Sequence, residues 1–205
     1  MSFLTFPFDQ VPPASMTWRL RANNQVHESP LDGTTQTLLM PGSRWVASMT
    51  WPKMDRDMAR VISAFVARMN GRAGRFLLQP LQAPRTATAG GTPRVMGAGQ
   101  TGDLLQTDGW EAGKTVIVTG DFLSFPNPAG RPQIHMAVAS AVSDGTGYAP
   151  IRIAPPLRSP PADNALIEAN NPVGVFRLAD DDQGDLATDA AWHSSIAVEF
   201  EEALF

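Results

Sequence analysis

The stretch Arg44-Trp45-Val46-Ala47-Ser48-Met49-Thr50-Trp51 sets Trp45, Ala47, Met49 and Trp51 on one side of an extended chain. A period of two is the signature of a strand with one buried face. Two indoles and a methionine on that face need a packed partner, so the strand belongs to a sheet with a core beneath it. Pro52 is expected to close the strand, because proline cannot donate to the ladder. The period then changes. Asp55 is a plausible N-cap, and Met58, Val61, Ile62, Phe65 and Met69 recur at helical spacing through residues 56–69. Arg56, Arg60 and Ser63 fall on the opposite side, and Asn70-Gly71 supplies the stop. The spacing predicts a helix over residues 55–70 whose apolar stripe is core.

Working outward, Ser15-Met16-Thr17-Trp18-Arg19-Leu20-Arg21 alternates with Met16, Trp18 and Leu20 on one face. Residues 35–40 form another candidate strand, ended by Pro41-Gly42, and residues 75–80 another. Strand character resumes at residues 174–178. Ile196, Val198 and Phe200 then alternate with acids in a closing strand that needs a sheet to join, and the Trp-bearing strands are the one on offer. Residues 1–82 and 174–205 are therefore read as one domain.

Between them lies an insert, residues 83–173. Residues 83–100 are almost all Ala, Gly, Thr, Pro and Arg, which reads as a flexible arm. Residues 115–118 and 120–125 read as strands around a Gly-Asp turn. Residues 133–142, 149–153 and 165–169 follow as further strands, with a tight turn at Asp144-Gly145-Thr146-Gly147. Short strands at this spacing suggest a small β-barrel. The chain is thus expected to be mainly β with one packed α-helix.

Composition narrows the function. The chain has 205 residues, enough to bury roughly 70% of its unfolded surface. Its 43% apolar content is ordinary for a globular protein. The absence of cysteine excludes a disulfide scaffold, a thiol nucleophile and thiolate metal sites. A net charge of −4 argues against a dedicated nucleic-acid binder. No run approaches the ~20 apolar residues of a membrane span, and no signal peptide is read in Met1-Ser2-Phe3-Leu4-Thr5-Phe6.

No catalytic constellation is legible, so no catalytic, cofactor-binding or metal-ligating residue is assigned and the chain is read as a non-enzyme. His27, His135 and His193 lie too far apart in sequence for a metal motif. His135 has the opposite parity to Ile134, Met136 and Val138, and is expected at a surface or interface. Gly97-Ala98-Gly99-Gln100-Thr101-Gly102 matches a dinucleotide fingerprint by letter, but the stretch before it reads as Gly, Thr and Pro rather than as a strand, and no helix pattern opens after it. Asp180-Asp181-Asp182-Gln183-Gly184-Asp185 lacks the alternation of a calcium loop and its closing glutamate.

Charge is segregated. Residues 180–205 carry eight acids and no Lys or Arg, whereas residues 53–75 carry six bases against two acids. Such a split serves either pairing within the chain or complementarity between subunits. Arg56, Arg60, Arg68, Arg72, Arg75, Glu199, Glu201 and Glu202 are the candidate subunit-contact residues. Only two of the 16 basic residues are lysines. Arginine holds planar ion pairs well, which suits a protein made of interfaces, although a GC-rich genome gives the same bias.

The order of these features has a family likeness. It runs from an N-terminal Trp strand through Trp45 to Trp51, the helix segment Ala64-Phe65-Val66-Ala67-Arg68-Met69-Asn70-Gly71, and Gly74-Arg75-Phe76-Leu77-Leu78. Gly120-Asp121, Asp144-Gly145-Thr146-Gly147 and Ile153-Ala154-Pro155-Pro156-Leu157-Arg158 follow. This resembles distal tail proteins, tail-tip subunits of long-tailed bacteriophages. The resemblance implies a β-sandwich-like ring-forming domain with a helix, here with an inserted OB-like β-barrel. It implies a hexameric ring joining the tail tube to the hub protein and tail fibres, without cofactor or membrane. Assembly in the host cytoplasm and residence in the virion follow from it. DNA passes through such a ring without specific binding, and a basic wall would trap it by counterion release. Asp180, Asp181, Asp182 and Asp185 are therefore candidate lumen residues, or else a solvated outer loop. The chain departs from the family in lacking a long C-terminal carbohydrate-binding domain. A tail terminator, a tube protein, a soluble carbohydrate-binding module using Trp110 or other exposed aromatics, and an enzyme with an unrecognised site are the alternatives.

Overall fold

The computed structural model describes residues 3–81 and 90–204. The protein is mainly β, with 46% strand and 9% helix. In chain order come β1 (Leu4–Thr5), β2 (Ser15–Arg21), β3 (Asn24–Glu28), β4 (Thr35–Leu39), β5 (Arg44–Met54) and α1 (Arg56–Met69). After a 3-10 turn, Gly71–Ala73, come β6 (Phe76–Leu78), β7 (Gly91–Val95), β8 (Gly102–Trp110), β9 (Thr115–Ile117) and β10 (Phe122–Pro126). They are followed by β11 (Pro132–Ala137), β12 (Ala141–Val142), β13 (Ala149–Leu157), β14 (Gly174–Leu178), β15 (Ala187–Thr188) and β16 (Ser194–Glu202). The chain divides into two compact units, Pro7–Gly74 with Arg177–Phe205, and Met1–Phe6 with Arg75–Phe176. The units part at 6/7, 74/75 and 176/177, where the strand pattern alone placed the boundaries at 82/83 and 173/174.

In the first unit β5 is central. β16 pairs antiparallel to one side of it, with Val198 opposite Met49 and Phe200 opposite Ala47. β2 pairs antiparallel to the other side, with Met16 opposite Met49 and Trp18 opposite Ala47. The closing strand thus joins the Trp strand as its alternation requires. Trp45, Met49, Trp51, Ile196, Val198 and Phe200 share a face and are all buried. Trp51 Nε1 donates to the Pro12 carbonyl at 3.0 Å, so its polar edge is satisfied in the core. β5 runs through Pro52 to Met54. The ladder register shifts beside it, between Ser194 and Ile196, and an irregularity of that kind tolerates a missing donor.

Helix α1 starts where expected. Asp55 is extended and its carboxylate accepts from the N–H groups of Asp57 and Met58, at 3.1 and 2.8 Å. Asn70 ends it in the left-handed region, at φ 49°. The buried stripe is Ala59, Ile62, Phe65 and Met69, and the helix packs on β5 and β16. Met58 and Val61 are only half-buried.

The second unit holds the barrel. β10, β11, β13, β8 and β7 form a five-stranded sheet in that order. Residues 165–169 bridge its two edges, Leu166 to Arg94 of β7 and Glu168 to Ser124 of β10. Ser124 and Glu168 exchange both main-chain hydrogen bonds at 2.8 Å, and Val95 N–H donates to Ala165 O at 2.9 Å. Each edge is met by one bridge, and the sheet curls into a half-barrel. Along the bridge, Ala165, Ile167 and Ala169 are buried while Leu166 and Glu168 face out. They join Val95, Leu105, Phe125, Ile151 and Ile153 in one core.

Two expectations change here. Residues 91–95, read as part of a flexible arm 83–100, are strand β7, and Val95 is fully buried. Residues 82–89 lie outside the described residues. β9 and β10 are not partners around the Gly-Asp turn. β9 pairs with β12, and β10 pairs with β11. In the same unit β6 pairs with β1 in parallel and with β14 antiparallel.

Candidate assembly surfaces

The polar face of the first unit is built by the residues that alternate with its core. Glu199 and Glu201 of β16 point to the same side as Arg44 and Ser48 of β5 and Arg19 and Arg21 of β2. Glu201 is only 5% exposed. Arg177 donates to it through Nε at 2.9 Å and through Nη2, while Arg44 and Arg21 approach at 3.5 and 3.4 Å. A buried carboxylate requires such pairing, and guanidinium forks supply it without losing their charge. Glu199 pairs with Arg19 and accepts from Ser48 Oγ at 3.5 Å. Glu202, on the other face, accepts from Trp45 N–H at 3.1 Å. The three candidate glutamates are therefore all engaged within the chain, Glu199 and Glu201 by arginines of other segments and Glu202 by the Trp45 main chain.

Of that segment, Arg72 meets the acidic loop. Asp181 accepts from Arg72 N–H at 2.8 Å, from Nη2 at 2.8 Å and from Nε at 3.1 Å. These donors, the guanidinium first, hold the Asp181 carboxyl below the usual carboxylate range. Asp180, Asp182 and Asp185 are exposed. Arg56 and Arg68 are exposed, Arg60 sits 3.5 Å from Asp57, and Arg75 is half-buried. Among the described residues no group of three His, Cys, Asp or Glu is placed to hold a metal.

Three histidines behave differently. His27 lies on exposed β3, and His193 sits 3.4 Å from Asp189 in a turn. His135 is the correction, because it is fully buried rather than at a surface. β11 is covered on both sides. Ile134 packs towards Gly174, while His135 stacks on Phe125 with ring centroids 5.1 Å apart. Alternation therefore does not separate inside from outside on this strand. Nδ1 is 2.8 Å from the Pro155 carbonyl, which fixes Nδ1 as the protonated nitrogen, and Nε2 is buried without a partner. Burial, and then the nearby Arg158 charge, push the imidazole down to about 3.

Trp110 is likewise a core residue, 5% exposed, with Nε1 donating to Thr107 Oγ1 at 2.8 Å. It offers no open stacking face to a sugar. Gly97–Gly102 is a connection between β7 and β8, tied by the Gln100 side chain, and no helix follows it.

Two features escaped the sequence reading. The first is the β3–β4 ribbon, in which every residue of both strands is exposed. Its tip is a turn in which Gly33 N–H donates to Ser29 O and Asp32 accepts from Thr34 N–H. Val26, Leu38 and Leu39 are bare along it, and Leu31 at the tip is 97% exposed. The sequence Ser29-Pro30-Leu31-Asp32-Gly33 is a turn signal that could have revealed it. The second is a groove of about 380 Å³ between α1 and the turn before β16, lined by Arg56, Ala59, Arg60, Leu186 and Trp192 among others. Trp192 is 77% exposed.

A scan against protein-family models gives no match, and a search of curated proteins gives none either.

Proposed function

We propose that the chain is a ring-forming structural subunit of a phage tail tip. Six copies would close a ring that connects the tail tube to the hub protein and tail fibres and lets DNA through. The observation that carries this reading is the β3–β4 ribbon. A two-stranded ribbon is marginal by itself in water, and this one leaves more than half of Val26, Leu38 and Leu39 and nearly all of Leu31 exposed. Apolar surface held out in this way suits a contact with another molecule of the assembly. The order of motifs along the chain, from the Trp strands through the helix to the inserted barrel, supports the tail-tip setting. In that ring Asp180, Asp182 and Asp185, all exposed, suit a wall that does not retain phosphates.

The test is native mass spectrometry of the purified protein with negative-stain imaging. A closed six-membered ring with an open centre is expected. A chain that stays monomeric at high concentration overturns the reading. A carbohydrate-binding module is the second reading, favoured only by the exposed Trp192, and glycan-array binding by a monomer would establish it.

A further inference from the structure

The ribbon and the groove lie at opposite ends of one strand. The ribbon springs from the Arg21–Arg44 pair, where β2 ends and β5 begins, and Met40 N–H closes it onto Asn23 O at 2.8 Å. The groove lies at the far end of β5, where Met54 pairs with Ser194 and the helix begins with Arg56. β5 has 11 residues, which at the strand rise spans about 33 Å. Each ribbon strand has five residues, about 17 Å. The ribbon leaves the sheet at the end of β5 opposite the groove.

The chemistry of the two surfaces matches. Residues 24–39 carry Glu28 and Asp32 and no Lys or Arg. Hydrogen bonds from Ser29 and Thr34 hold the Asp32 carboxyl below its usual range, so the tip stays negative. The groove offers Arg56 and Arg60 beside an apolar floor of Ala59, Leu186 and Trp192; among the described residues no carboxylate lines it, and Asp57 sits 3.5 Å from Arg60 at its margin. An aliphatic side chain flanked in sequence by two acids meets a groove that holds an indole and two arginines. Trp and Arg are the residues that most often dominate interface energy.

We propose that the ribbon tip of one copy docks in this groove of a second copy, with Leu31 against Trp192 and Leu186, and with Glu28 and Asp32 facing Arg56 and Arg60. The contact is heterologous, because the two surfaces differ and sit at opposite ends of a strand. A head-to-tail contact of this kind generates a ring when its rotation closes. The proposal rests on the ring reading and names the surfaces that make the ring.

The chain has no cysteine, so single thiols can be placed without background. Leu31→Cys and Leu186→Cys proteins are co-assembled and oxidised, with Leu31→Cys and Val142→Cys as control, Val142 being an exposed barrel residue. Mixed dimers of the first pair are expected to form about tenfold faster or more, from the raised effective concentration. Leu31→Arg, at a side chain without burial, is expected to shift the assembly to monomer. Glu28→Arg is expected to weaken assembly, and Arg56→Glu added to it to restore assembly in part. If Leu31→Arg leaves a ring intact and the test pair cross-links no faster than the control, the docking is wrong while the ring reading stands. If the unmodified chain is monomeric, the ring reading fails and the docking with it.

Discussion

Asp181 wraps its carboxylate around the main-chain N–H and the guanidinium of Arg72, at the point where α1 has just ended. The contact ties the acidic loop to the helix terminus through three donors. It also dictates the neighbouring residue. Gly71 has φ +64°, and a Cβ there would lie 2.4 Å from Asp181 Oδ1. Glycine is needed twice over, for the left-handed backbone and for the approach of the carboxylate.

Gly71→Ala is therefore expected to destabilise the protein by on the order of 1–2 kcal/mol from backbone strain, with the clash added to it. Asp181→Gly removes the clashing atoms. In that background Gly71→Ala should cost less, because only the strain remains. Denaturant unfolding of the four-member cycle measures the coupling. Equal costs in both backgrounds would show that the loop gives way freely.

The helix stripe makes a sharper stability prediction. Phe65 is buried in a stripe facing β5 and β16. Phe65→Ala should cost roughly 3–5 kcal/mol by leaving a cavity beneath the helix. Arg60→Ala, on the open side, should fall within about 0.5 kcal/mol of wild type. Thermal melts of both variants check this, and a Phe65→Ala melt that overlays wild type would remove α1 from the core.

How far the sequence reached is visible in these residues. Trp45 to Trp51, the α1 stripe and Ile196 to Phe200 were legible because one face of each is apolar and buried while the other carries mostly polar side chains, so periodicity reports the core face. His135 was not, because β11 has protein on both faces and alternation there carries no sign. Gly91–Val95 hid behind Gly, Thr, Pro and Arg, whose strand form is imposed by pairing with β8 and residues 165–169 rather than by propensity. The charge split was legible as a pattern but not as a pairing. Glu201 finds Arg21, Arg44 and Arg177, which only the folded sheet brings together. The groove at Trp192 has no sequence signature, since a lone tryptophan in a turn says nothing of the helix beside it.

Glu201 yields the next prediction. Its removal leaves the partly buried Arg44 and Arg177 without their common counter-charge. Glu201→Ala is expected to cost about 1–3 kcal/mol, less than a fully buried pair because the guanidiniums stay partly solvated. Arg21→Ala, the most exposed of the three arginines, should cost less than about 1 kcal/mol. Urea unfolding separates the two, and equal effects would mean that the carboxylate is not the hub of the cluster.

His135 sets the acid limb of stability. Its imidazole titrates near 6.5 when the chain is unfolded and at about 3 when folded, because burial and the Arg158 charge disfavour the cation. Below pH 6.5 the unfolded chain binds a proton that the folded chain refuses. Stability is therefore unaffected by this group above that pH. It declines as pH falls from 6.5 towards 3, by at most about 1.4 kcal/mol for each unit. Carboxylates such as Asp181 and Asp144, held below their usual range, lose their contribution only in more acid solution. The two limbs separate in a His135→Leu variant, which keeps an apolar group against Phe125 and has nothing to protonate. Between pH 6.5 and 4.5 the wild type should lose stability with falling pH while the variant stays nearly flat. Denaturant midpoints measured across that window decide the matter. Parallel curves for the two proteins would mean that the buried imidazole accepts its proton in the folded state.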